Sequence, residues 1–258
     1  MTEFFKLDRH GPIAVITIDR ADAMNALDAP RHFALSAIID AFAADPEQRV
    51  AIITGAGERA FCAGNDLKQR LESGAPAVPD TGFGGLTSRP ELDKPVIAAV
   101  NGMAIGGGFE LALACDLVVA ADHATFALPE ARVGLAALAG GVVRLPQYIG
   151  PKRTMELVLT GRRVTAVEGQ AMGFVNAVTT AQDLMPAAMA LARKICEAAP
   201  LSIRATKALM RLGLDAQINA ALPFQMDLVE VQQMRASEDA REGPRAFAEK
   251  RQPQWAGR

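Results

Sequence analysis

Between Asn101 and Asp116 the chain reads NGMAIGGGFELALACD, three consecutive glycines followed closely by a glutamate in an otherwise apolar run. Glycine costs backbone entropy, so Gly106, Gly107 and Gly108 call for a reason, and so does Glu110. The strand-like run Val96 to Val100 should end near Asn101-Gly102, and a helix should begin near Gly107 and run through Cys115. The first amides of such a helix lack intrahelical partners and lie at the positive end of its dipole. Residues without side chains let a ligand oxygen approach those amides, which makes one half of an oxyanion hole. Glu110 lies one turn further on and can face the same space. The glycines alone are also compatible with a tight strand-to-helix turn, and Glu110 alone with a favourable first-turn acid.

Two further stretches bear the same kind of residue. AFCAGNDLK, Ala60 to Lys68, follows a strand and turn; Gly64 permits close backbone approach, and the next amide, on Asn65, is a candidate second donor. A generic turn accounts for it equally simply. TFALPEARVGL places Glu130 directly after Pro129, a common helix-start arrangement, with Arg132 near enough to pair with it.

Other chemistries find no support in the pattern. Gly106-x-Gly108 is followed by Leu111 where a dinucleotide fingerprint needs its third glycine. Neither GxxxxGK[ST] nor GxSxG occurs, and His10, His32 and His123 stand in no recognisable nucleophile context. No His, Cys and Asp cluster has metal spacing, so no metal is expected. A formal net charge of −2, with one Trp and one Tyr, argues against nucleic acid as a partner. Cys62, Cys115 and Cys196 are scattered and odd in number, which suits a reduced, cytoplasmic protein. No signal peptide is read at MTEFFKLDRHGP, and the apolar run from Pro95 to Ala121 is too interrupted to cross a membrane.

These residues need a frame. With 258 residues, half of them hydrophobic, the chain can build one large core with an appendage. Pro12 to Asp19, Arg49 to Gly57, PVIAAVNG and CDLVVAAD read as strands, Ala29 to Asp45 as a helix, and the region after Ala187 as mostly helical with a break at Gly243-Pro244. The alternation implies an α/β chain. Leu71 to Pro90, rich in glycine and proline, reads as a long loop, mobile or functional.

Taken in order and with their gaps, AFCAGNDL, KPVIAAVNGMAIGGGFELALACDL, FALPEARVGL, LTGRRVTAVEGQAMGFVNAV and the tail SEDAREGPRAFAEKRQPQWAGR resemble the enoyl-CoA hydratase/isomerase (crotonase) superfamily over essentially the whole chain. The resemblance implies a crotonase-like spiral of ββα units, a fold shared with some peptidases. It implies a spiral core over 1–195 and a helical region over 196–258 that builds trimers or dimers of trimers. The substrate would be an acyl-CoA thioester, with no cofactor beyond the CoA it carries. By position, Asn65 and Gly107 would supply the oxyanion amides, and Glu110 and Glu130 the two catalytic carboxylates. Ala63, Gly64, Asp66, Leu67, Gly106 and Leu138 would line the acyl-CoA path, and Phe247 and Lys250 match tail positions that touch a neighbouring subunit's CoA. Asp22 departs from the pattern, standing where a basic residue often meets a CoA phosphate.

In this family two acids favour hydration of a 2-enoyl-CoA, since isomerases commonly keep only the later one. The sequence is also similar to crotonobetainyl-CoA hydratases (carnitinyl-CoA dehydratases). There, as in dienoyl-CoA isomerases, the segment that here reads GLAALAGG carries an Asp; this chain has Leu138. A trimethylammonium group wants anionic or aromatic neighbours, so an apolar acyl chain is the expected substrate and the betaine the runner-up.

Overall fold

The computed structural model describes residues 4–66, 77–215 and 227–258, with the side chains of Asp215, Phe247 and Ala248 outside the description. Leu67 and the first part of the Leu71–Pro90 stretch therefore lie outside the described residues.

Among the described residues, ten strands form two sheets. The first has the order β1 (Phe5–His10), β2 (Ile13–Ile18), β3 (Val50–Gly55), β5 (Val96–Val100), β7 (Leu117–Ala121) and β10 (Ala177–Thr179). Within this sheet, among the described residues, β1–β2 is the one antiparallel pairing. The central strands are buried on both faces, which is why they read as unbroken runs of Ile, Val and Ala. The second sheet has the order β4 (Ala60–Cys62), β6 (Met103–Ile105), β8 (Thr125–Ala127) and β9 (Val164–Thr165). The chain thus climbs in steps, β3 to β4, β5 to β6 and β7 to β8, each long strand followed by a short one in the other sheet. Two asparagines hold the corners. Asn101 accepts from the Gly55 N–H at 3.0 Å and donates to the Gly57 carbonyl at 2.7 Å, while buried Asn25 donates to the Ala56 and Ala60 carbonyls.

Helices cover the sheets: α1 (Ala29–Ala44), α2 (Gly107–Ala114), α3 (Gly141–Ile149), α4 (Pro151–Thr160), α5 (Ala166–Met172) and α6 (Leu184–Cys196). α7 (Pro200–Asp215), α8 (Val229–Ala236) and α9 (Asp239–Ala248) follow. α1 is opened by Asp28, whose side chain accepts from the Arg31 N–H. α2 has only eight residues, too few to hold in water alone, and the first seven are buried. Its Phe109 packs at 5.1 Å, centroid to centroid, on both Phe126 of β8 and Phe174.

Two expectations change. The stretch around 80–90 is not a loose loop: Phe83–Gly85 form a 3-10 turn, and Phe83, Leu86 and Arg89 are buried. Arg89 straps this turn to α1, donating to the Gly85 carbonyl and to Ser36 Oγ. The chain also does not break at Gly243-Pro244. α9 runs through both, although Pro244, the sixth of its ten residues, lies inside the helix and forfeits the hydrogen bond to the Ala240 carbonyl; the interruption falls at Ser237.

Gly108 shows how tightly α2 sits. A Cβ there would lie 1.9 Å from the Cys62 carbonyl oxygen, whereas at Gly213 of α7 it would meet nothing within 4 Å. Gly108→Ala is expected to destabilise the fold by about 1–3 kcal/mol or more through overpacking. Gly213→Ala should stabilise it by roughly 0.5–1 kcal/mol; urea denaturation of both checks the contrast.

Candidate active site

The amino end of α2 is set by its glycines. Gly106 adopts φ 57°, ψ −127°, a conformation that side chains disfavour, and aims the Gly107 N–H out of the helix. As first residue of α2, Gly107 has no intrahelical acceptor for that N–H. Gly64, with φ 89°, lies against it: a Cβ at 64 would stand 3.2 Å from the Gly107 nitrogen and screen it. Asn65 follows, held in a parallel bridge with Leu27. The Leu27 N–H donates to the Gly64 carbonyl and the Asp66 N–H to the Leu27 carbonyl, both at 2.9 Å. In that pattern the Asn65 N–H points away from Leu27. The two amides singled out by sequence thus sit on adjoining segments.

Both glutamates join them. Glu110, 3% exposed, accepts from the Gly141 N–H at the start of α3 through Oε1, at 2.9 Å. Burial raises its pKa from 4.5 to about 7; the Glu130 charge adds to the rise, and the Gly141 and Ala139 amides and Arg144 oppose it. Glu130 opens the 3-10 turn Glu130–Val133, and its Oε1 lies 3.1 Å from where a Gly106 Cβ would be. Burial raises its pKa too, and its Oε2 is buried with no hydrogen-bond partner among the described residues. Arg132 does not neutralise it; its Nε donates to the Thr160 carbonyl. Two carboxyls that resist ionisation, beside two outward amides, can pass protons to and from a substrate whose carbonyl those amides hold.

The other candidates are less closely tied. Ala63 is half-buried and donates to the Met24 carbonyl. Asp66 pairs with Arg20 at 2.8 Å. Leu138 is 85% exposed in the turn before α3. Lys250 is exposed just beyond α9, and neither Leu67 nor the Phe247 side chain is described. Among the described residues no group of three or more His, Cys, Asp or Glu could hold a metal, and no helix is long and apolar enough to cross a membrane.

The enoyl-CoA hydratase/isomerase family profile matches residues 8–258. The chain belongs to that family. Curated relatives include a carnitinyl-CoA dehydratase of Salmonella arizonae and one of Citrobacter koseri, each 48% identical over 100% of both chains. Among solved structures, an enoyl-CoA hydratase from Mycobacterium marinum superposes with a TM-score of 0.93 at 40% identity, covering all of both chains. A carnitinyl-CoA hydratase from Mycobacterium avium gives 0.78 at 43% identity, again over both whole chains. The architecture is accordingly the crotonase-like fold of this family, and the chemistry is of the hydratase/dehydratase (lyase) class.

Sequence reasoning passed over His32, Phe83 and the Gly141 amide, which surround the site. Nothing in their local sequence marks them; α1, the 80–90 turn and α3 reach the site only through the fold.

Glu110 has a folded-state pKa above its unfolded one, so the native chain holds the extra proton and stability falls as pH rises from about 4.5 to about 7. Glu110→Gln removes that loss. Its stability relative to the parent should rise by roughly 3 kcal/mol between pH 4.5 and pH 8, measured by urea denaturation at both pH values.

Proposed function

We propose that the chain catalyses reversible addition of water across the 2,3-double bond of a 2-enoyl-CoA thioester. The observation that supports this best is the pair of charge-coupled carboxyls, buried Glu110 and half-buried Glu130, beside the outward amides of Gly107 and Asn65. Water adding at C3 leaves an enolate whose negative charge rests on the thioester oxygen. Two preorganised amides stabilise it, each worth about 2.7–4 kcal/mol. Glu110, with a pKa near 7, is matched to taking a proton from water at neutral pH. Glu130 holds a proton more readily than an ordinary glutamate and delivers it to C2. One proton shared across the pair serves both directions of the reaction, and its two ionisations belong to the pair.

The substrate reading follows the residues of the turn before α3. The turn Gly134–Gly141 carries no acidic residue, and Leu138 stands in it, which suits an apolar acyl chain better than a trimethylammonium group. Carnitinyl-CoA dehydration is the second reading, favoured by the name of the 48% identical relatives. CoA comes as part of the substrate. We read residues 196–258 as a helical trimerisation region that also closes over CoA through Phe247 and Lys250, in a cytoplasmic homotrimer or dimer of trimers. Val143 and Leu159, on α3 and α4, are 65% and 68% exposed in the single chain and offer apolar surface to such an assembly.

A panel of 2-enoyl-CoAs including crotonobetainyl-CoA, followed by loss of the conjugated double bond, tests the activity and separates the two substrates; no turnover of any member refutes the proposal. Glu110→Gln and Glu130→Gln should each lower crotonyl-CoA hydration by at least about a hundredfold, and near-parental turnover in either would remove that residue from its role. In the parent, kcat/KM should fall as pH drops below about 7, where Glu110 gains its proton; a flat profile through that range counts against Glu110 as base. Sedimentation equilibrium should return three or six times the 27.3 kDa chain mass.

A further inference from the structure

We propose that His32 is a positioning residue for the oxyanion amides: its imidazole holds the Asn65 side chain and, through Phe83, braces the Gly107 end of α2. The inference rests on the reading of Asn65 and Gly107 as the paired donors.

His32 is fully buried on α1, and both ring nitrogens are engaged. The Gly84 N–H lies 3.0 Å from Nδ1 and can only donate, so Nδ1 carries no proton. Nε2 therefore carries it and donates to Asn65 Oδ1 at 2.9 Å. Burial, the largest influence on this ring, lowers its pKa and keeps it neutral, against the pull of the Asn65 hydrogen bond and the Asp28 charge. The peptides on either side of Asn65 are already clamped to Leu27. The hydrogen bond from His32 to the Asn65 side chain adds a third tie, from α1, at the residue between those two peptides.

The same imidazole meets Phe83 edge-on, with centroids 4.6 Å apart and planes at 74°. Phe83 in turn fills the space beside Gly107, where a Cβ would lie 2.4 Å from the ring. One side chain thus touches the support of each amide. With both nitrogens committed and no exposed atom, His32 is not an acid or base in the reaction. A histidine serving only the core would affect stability and leave the chemistry of folded protein unchanged; a positioning histidine alters polarisation of the bound carbonyl.

The test uses the full chain and 4-(dimethylamino)cinnamoyl-CoA, whose absorption moves to the red when its carbonyl is polarised, together with crotonyl-CoA kinetics. Asn65→Ala keeps the backbone amide, deletes the acceptor and changes a half-buried side chain, so it folds even if His32→Leu does not. We expect Asn65→Ala and His32→Leu each to lose about half or more of the red shift and about tenfold or more in kcat, with KM within about twofold. His32→Gln, whose amide nitrogen takes the place of Nε2, should stay within about threefold of the parent. The double variant His32→Leu/Asn65→Ala should be no worse than His32→Leu, because Asn65→Ala breaks only an interaction that His32→Leu already lacks. A full red shift with parental kcat in Asn65→Ala, or single effects that multiply in the double variant, overturns the role of His32 while leaving the oxyanion reading in place. No red shift in the parent overturns that reading, and this inference with it.

Discussion

The structure depends on one close approach of backbone to backbone. The amino end of α2 is pressed onto the segment from Cys62 to Gly64, close enough that a single methyl at Gly108 or Gly64 has no room or blocks a neighbouring amide. That contact brings two N–H groups from different units of the spiral to one place, where in the proposed reaction they meet the thioester oxygen. Amides aimed in advance need no reorganisation as charge develops on the oxygen they hold, which is what makes such donors effective. The eight residues of α2 could not sustain this alone; the Phe109, Phe126 and Phe174 cluster anchors the helix from behind.

Burial of Glu110 is the second constraint, and it follows from the first. A residue one turn into a helix this deeply seated is largely withdrawn from bulk solvent, so its charge is poorly solvated and its pKa climbs toward neutrality. The Gly141 amide limits the rise and fixes the carboxyl's direction. Glu130 arrives from the neighbouring turn, short of partners on one oxygen. Desolvation that costs stability above neutral pH is the same desolvation that suits these groups to proton transfer.

The 80–90 turn ties the site to α1. Arg89 and Ser36 pin it from one side, and the Gly84 amide on His32 from the other. What reads as loose glycine-rich sequence is here a packed buttress, because Gly84 and Gly85 let the chain come within contact of Leu35 and Ser36.

By itself the sequence determined the α/β class, the long central strands, α1 and α2, and the four chemical candidates Asn65, Gly107, Glu110 and Glu130. These are legible because strand and helix periodicity is local and because a buried acid or a run of glycines is conspicuous against an apolar background. It did not disclose β1 or the short strands of the second sheet: β4, β6 and β8 have three residues each, too few to show alternation. Nor did it disclose that His32 would meet Asn65, or that Gly141 would hold Glu110, separations of 33 and 31 residues. Only the tertiary structure decided those contacts, since a hydrogen bond or a shifted pKa depends on which distant groups share a low-dielectric space, and the spiral, not the local chain, sets that neighbourhood.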